Sequence, residues 1–334
     1  MDDGDERPML GRRPFLVGAG AAALAAASSD AHAQQAHKIP IVDTHIHLFD
    51  PNRPQGAPYK GPRGSSSNTL GADPVRYAKL ARPEGVVGAI CVEASNWVED
   101  NLWVLDLIAQ HKIMVGFSGN LKVEAPEFGE YLGRYAKNPL FRGIRYNRLV
   151  EQINNPEVVS KLGDLARADR VLEVANPRME MLEAVIRASD AVPTLRIIVN
   201  HLPNFQPAAE IEAAYAHTLK ELGARPQIYV KLSEVIRQQV VTAYPAPVSN
   251  APIDFHLAPY RPRLDQIYAA FGEDRVLFGS DWPNSDGVAP VDNVFRVVKE
   301  YFASKSKLQA EKYFWRNSIA AYKWIKRAPD QPSI

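Results

Sequence analysis

Eight times along the chain a short run of β-branched and apolar residues is followed by an amphipathic stretch or a long loop. No other feature limits the fold as strongly. The runs are Ile39–Thr44, Val86–Glu93, Ile113–Ser118, Phe141–Tyr146, Arg170–Val174, Arg196–Asn200, Gln227–Leu232 and Arg275–Gly279. Helical periodicity marks Asn101–His111, Glu127–Lys137, Pro156–Ala168, Met179–Ser189, Ala208–Leu222, Pro262–Phe271 and Val291–Ser304 between and after them. The runs are mostly continuous in apolar character, as expected of strands whose outer face is covered by helices. An α/β fold, a parallel (β/α)8 TIM barrel, satisfies this pattern better than an open sheet. Such a barrel fills about 250 residues as one domain, so a chain of 334 residues needs no second one. Residues 34–334 are therefore expected to form a single barrel domain, closed by an aromatic-rich C-terminal helix over Glu311–Ile325. Two connections are too long for simple turns: Leu48–Leu80, after strand one, and Val235–Arg261, after strand seven. Both emerge at the carboxyl face of the barrel, where long loops act as lids over a site.

Residues 1–33 read as a targeting segment rather than as part of the fold. Arg12-Arg13 precede an apolar run from Phe15 to Ala27, which at 13 residues is shorter than the roughly 20 needed to span a bilayer. Ala31-His32-Ala33 supplies a small-x-small cleavage box, so the mature chain is expected to begin at Gln34. The expectation is a periplasmic protein without a stable membrane anchor, delivered by the twin-arginine export machinery. Lys and Arg number 39 against 38 Asp and Glu, a net charge of +1, which excludes a general nucleic-acid binder. One cysteine, Cys91, leaves no intrachain disulfide. A homo-oligomer stays open.

The chemistry concentrates at strand ends. In Val42–His47 the two-residue strand period places Asp43, His45 and His47 on one face. Two imidazoles so spaced converge on one point of the barrel mouth, as a metal ion requires; otherwise they are polar strand-end histidines. His201 ends strand six and Asp281 ends strand eight, the latter in a Gly-Ser-Asp turn where an aspartate can also be a simple cap. Together, three histidines and a carboxylate suit Zn²⁺ or a similar divalent cation with one position open to water. Arg145 and Lys231 also sit near strand ends. Each either binds an anionic substrate or pairs with an inward acid such as Asp43 or Glu93. Glu93 is an extra ligand, a hydrogen-bonding group or a core partner. Ser95, Asn96 and Trp97 follow it as pocket-lining candidates, joined by Trp282 and Arg237. His256, Arg261 and Arg263, in or beside the second long loop, either close over an anion or form a solvated face.

Val42–His47, Gly143-Ile144-Arg145, Asn200-His201-Leu202-Pro203, Val230-Lys231-Leu232-Ser233 and Phe278–Pro283 occur in an order and spacing that resemble the amidohydrolase superfamily. The branch is that of 2-pyrone-4,6-dicarboxylate lactonase, fuconolactonase and 4-sulfomuconolactone hydrolase, and the resemblance covers nearly all of Ile39–Ile325. It implies a distorted (β/α)8 barrel that hydrolyses lactones, with Asp281 as general base and His201 beside it in the catalytic centre. Members differ in metal dependence, so the resemblance supports the four residues more strongly than it supports zinc. Relatives that bind pyrone dicarboxylate carry further arginines where this chain has Glu151 and Asn204, with Arg148 and Arg237 as replacements. The implied activity is hydrolysis of a small anionic lactone, enol-lactone or muconolactone-like (4-sulfomuconolactone is an example), in bacterial aromatic degradation. A zinc-dependent non-oxidative decarboxylase of an aromatic or muconate-like acid is the alternative. A periplasmic binding protein without catalysis is the third.

Overall fold

The computed structural model describes residue 1 and residues 39–53, 71–236, 253–287 and 290–334. Within them, β1 (Ile41–Ile46), β2 (Val86–Val92), β3 (Met114–Gly119), β4 (Phe141–Arg145), β5 (Val171–Val174), β6 (Ile197–Val199), β7 (Ile228–Lys231) and β8 (Val276–Leu277) form one sheet. Its strands pair in sequence order, and all seven neighbouring pairs are parallel. The last strand is shorter than the expected Arg275–Gly279. Beyond Leu277 the backbone turns from β7 to β1 and closes the barrel there. Thr44 N donates to Phe278 O at 3.0 Å, Asp281 N to His45 O at 2.8 Å and His47 N to Trp282 O at 2.7 Å. The two ends of the sheet therefore meet at the residues that carry the candidate chemistry.

The barrel is wrapped by α1 (Pro74–Ala81), α2 (Asp100–Ala109), α3 (Phe128–Tyr135), α4 (Leu149–Gln152), α5 (Pro156–Arg167), α6 (Met179–Ala191), α7 (Glu212–Gly223), α8 (Arg261–Phe271) and α9 (Val291–Ala303). Helix α1 lies inside the stretch expected to be a loop. It starts where the Asp73 carboxylate accepts from Val75 N and Arg76 N, with Pro74 in the first turn. It buries only Pro74, Tyr77 and Ala81, too few apolar positions to stand out as a period. The remainder of both long connections, 54–70 and 237–252, lies outside the described residues, as does the segment 2–38.

The expected closing helix over Glu311–Ile325 is three pieces: α10 (Lys307–Glu311), a π-helical turn (Lys312–Arg316) and α11 (Asn317–Tyr322). The cause is three consecutive buried aromatics, Tyr313, Phe314 and Trp315. Successive α-helical positions lie about 100° apart, so a regular helix cannot turn all three inward, and the wider turn can. Tyr313 stacks on Phe302 with centroids 3.9 Å apart, and Phe314 packs on Phe278 at 5.8 Å, which fastens this segment to α9 and to the exit of β8. After α11 the chain crosses the opposite end of the barrel. There Arg327 donates to the carbonyls of Ile108, Ala109, His111 and Met114, and Gln331 to those of Val87 and Lys112.

Candidate active site

His45 and His47 project from the end of β1, and His201 and Asp281 from the first turns after β6 and β8. His201 and Asp281 hold left-handed backbone, at φ 54° and 57°. For non-glycine residues that conformation costs on the order of 1–3 kcal/mol and persists only where the surroundings impose it. Here it turns the chain sharply enough to bring both side chains to the histidine pair. His47 Nε2 is 3.2 Å from Asp281 Oδ1, His45 Nε2 is 3.5 Å and His201 Nε2 is 3.6 Å. His45 Nε2 and His47 Nε2 are 3.3 Å apart.

Those separations are themselves informative. Tetrahedral bonds of 2.0–2.2 Å place ligand atoms roughly 3.3–3.6 Å from one another. The hydrogen count points the same way. His47 Nδ1 faces the carbonyl oxygens of Val92 (3.0 Å) and Glu93 (3.1 Å). Carbonyls only accept, so a ring hydrogen is on Nδ1, and Nε2 is the nitrogen turned to the cluster. A histidine whose far nitrogen donates to the backbone is oriented as a metal ligand is. His201 Nδ1 meets Ser233 Oγ at 2.8 Å, and His45 Nδ1 meets Lys231 Nζ at 3.1 Å. The Nε2 atoms of all three rings thus face Asp281 Oδ1 around one point. His45, His201 and Asp281 form a group of ligand atoms all within 4.8 Å of one another, which can hold a metal ion.

Electrostatics agree with that role. Burial, and then the neighbouring Lys231, His201 and His47, hold the His45 imidazole well below its ordinary value, so it is neutral at physiological pH. Burial alone would raise Asp281. The hydrogen bond with Glu234, the adjacent His201 and the His47 contact outweigh it and keep the carboxyl well below the ordinary carboxylate range. Asp281 Oδ2 is buried with no donor.

Arg145 is drawn to Glu93: its Nε donates to Oε1 at 2.6 Å and its Nη2 to the Glu93 carbonyl at 2.8 Å. Glu93 stands in this ion pair rather than in the histidine cluster. Lys231 is fully buried and donates to Glu173 Oε2 at 2.7 Å, Thr44 O at 2.8 Å and His45 Nδ1. Asp43 stands apart from the histidines, and a register shift in β1 lies between it and Ile46. It accepts from His45 N, Ser280 N and the Tyr77 hydroxyl, and so ties β1 to β8 and α1. Trp282 is fully buried against Tyr77, centroids 5.3 Å apart, in the wall rather than on the rim.

Ser95 Oγ caps the Trp97 amide. Asn96 and Trp97 line a neighbouring cavity of about 400 Å³ with Asn120, Lys122, Phe128 and Tyr131. His256 has an 86% exposed side chain and bonds Asp254. Arg263 pairs with Glu212, and Arg261 lies over Tyr301. Arg148 pairs with Glu124. Arg237 lies outside the described residues. Sequence reasoning missed Glu173, Ser233 and Glu234. Glu173 interrupts the apolar run Val171–Val174, a signal that an inward charge needs a partner. Glu234 directly follows Lys231-Leu232-Ser233 and carried no motif of its own.

The amidohydrolase family profile matches residues 42–324. The chain belongs to the amidohydrolase family. As an amidohydrolase it is an enzyme. L-Fucono-1,5-lactonase of Burkholderia ambifaria is 24% identical over 249 residues, 73% of this chain and 80% of that protein. 4-Sulfomuconolactone hydrolase of Hydrogenophaga intermedia is 24% identical over 252 residues, 73% of this chain and 74% of that protein. Among solved structures, a Burkholderia multivorans amidohydrolase with bound zinc superposes with a TM-score of 0.69 at 20% identity, covering 86% of this chain and all of that one.

Proposed function

We propose that this amidohydrolase hydrolyses a small lactone. The observation that carries the proposal is the buried, ionised Asp281 against three imidazoles at the barrel mouth, in a chain whose similar proteins include lactonases. Asp281 takes a proton from the attacking water, which adds to the lactone carbonyl. The ring C–O bond breaks, and the product is a hydroxy acid. His45, His47, His201 and Asp281 would hold a divalent cation, with zinc the best match to two or three neutral imidazoles and one carboxylate. When bound, that cation supplies Lewis-acid polarisation of the carbonyl. Ser233, Lys231 and the Val92 carbonyl keep the three rings in register whether or not it is present. Arg145 and Lys231, the cations expected to meet an anionic substrate, are committed to Glu93 and Glu173.

The test is a lactone panel with purified protein, following acid release and CO₂ in parallel. Acid without CO₂ supports the lactonase. CO₂ from an aromatic acid supports the decarboxylase, and a ligand-induced thermal shift without turnover supports a binding protein. Export is proposed on residues 1–33 alone; replacing Arg12 and Arg13 with Lys should retain the protein in the cytoplasmic fraction, and unchanged periplasmic delivery would refute it.

A further inference from the structure

Asn200 is fully buried, and both polar atoms of its side chain, Oδ1 and Nδ2, are without a hydrogen-bond partner. Among the described residues no other side chain has two such atoms. A buried amide unmatched on both edges costs the fold free energy and calls for a water or a ligand to meet it. Its neighbours place it inside the barrel. In β6, Ile198 is in register with Glu173 of β5 and Tyr229 of β7. Glu173 and Lys231 join across the interior, and neighbours in register turn to the same side, so Ile198 faces inward. Asn200, next on that side of the strand, faces inward as well, beside Lys231 and directly before His201. Its backbone N–H still donates to Val174 O at 2.9 Å, so the strand pairing holds to this point. Lys231 cannot answer it, because its ammonium hydrogens go to Glu173, Thr44 and His45. An uncharged donor therefore faces the same interior as the cluster, with nothing in the protein to receive it.

We infer that Asn200 is a catalytic residue of the lactonase, its Nδ2 donating to the lactone carbonyl oxygen and more strongly to the oxyanion which that oxygen becomes. When water adds to the carbonyl carbon, one of its protons passes to Asp281, and the carbonyl π pair moves onto the oxygen facing Asn200. On collapse the C=O bond re-forms, the ring C–O bond breaks and the proton goes to the leaving alkoxide; the other water hydrogen stays in the new carboxyl group. A dipole already in place needs no reorganisation as this charge develops. An amide unmatched in the resting site is matched in the transition state, which is the condition for raising kcat rather than merely lowering KM. The inference rests on the lactonase reading and deepens it by assigning the oxyanion donor.

The test measures kcat and KM of the full-length protein on γ-butyrolactone, D-glucono-1,4-lactone and dihydrocoumarin. Asn200→Leu, close in size and without polar atoms, should lower kcat by about 10²-fold or more on every lactone that the wild type opens, with KM changed by less than about threefold. Its Tm should equal or exceed that of wild type, because unmatched buried polar atoms are removed. Should the leucine variant not fold, Asn200→Ala is read by the same split between kcat and KM. A kcat within about threefold of wild type in a folded variant, or a rise in KM at unchanged kcat, overturns the inference and leaves the lactonase standing. If the wild type opens none of the three lactones, the lactonase reading falls and this one with it.

Discussion

A carboxylate that is fully buried yet ionised must be surrounded by groups that prefer its charge, and His201 and His47 are such groups beside Asp281. Its low proton affinity makes it a ready ligand and a modest base, so its catalytic contribution depends on placement as well as on basicity. Asp281→Asn should lower kcat by about 10²–10⁴-fold; steady-state rates on whichever lactone the panel identifies will check this. His45 gives a separate signature in stability. Its folded value lies well below the ordinary 6.5. Below about pH 6.5 the unfolded chain therefore binds a proton that the native chain does not, and stability falls as pH drops, by up to about 1.4 kcal/mol per pH unit. Asp281 acts lower down: its depressed value contributes stability above the ordinary 3.8, lost as pH falls through the folded value. In chelated protein, His45→Asn should flatten the slope of the urea midpoint between pH 5 and 6.5 relative to wild type.

The elements hold these residues through a layer of polar contacts beneath them. Lys231 of β7 reaches Glu173 of β5 across the barrel, Tyr322 of α11 donates to the other Glu173 oxygen at 2.8 Å, and Lys231 also touches His45. This buried pair therefore links the closing segment to the ligand strand. Lys231→Met leaves the Glu173 charge without its partner and should cost about 3–5 kcal/mol. The double variant with Glu173→Leu should recover much of that loss in a denaturation series, though without restoring the His45 contact. The strand-end motifs of β1, β6 and β8 were legible because chemistry-bearing residues there interrupt apolar runs. Helix α1 and the π-helical turn were not: the first buries too little to show a period, and the second departs from one because three aromatics in succession need the core.

For the molecule as a whole, the two faces of the barrel divide the work. The carboxyl face gathers His45, His47, His201 and Asp281, while Arg327 and Gln331 strap the other end to the carbonyls of Val87 and of residues between Ile108 and Met114. A cation that binds the assembled cluster but not the separated residues of the unfolded chain stabilises the fold by mass action, about 2.7 kcal/mol at a concentration one hundred times Kd. Zinc should therefore raise the Tm of chelated wild type, and the rise should be largely lost in His45→Asn and His201→Asn; an equal rise in all three would show that the cluster is not the binding site. No helix among the described residues is long and apolar enough to cross a membrane.

Local order in the chain carried the alternation of strand and helix, the barrel that follows from it and the identity of the four residues at its mouth, because strand period and turn chemistry are near-neighbour properties. Which acid neutralises which base was decided only by closure of the barrel. Arg145 lies 52 residues from Glu93 and Lys231 lies 58 from Glu173. Pairing across such distances depends on how strands tilt and turns bend, and one-dimensional spacing does not contain that geometry.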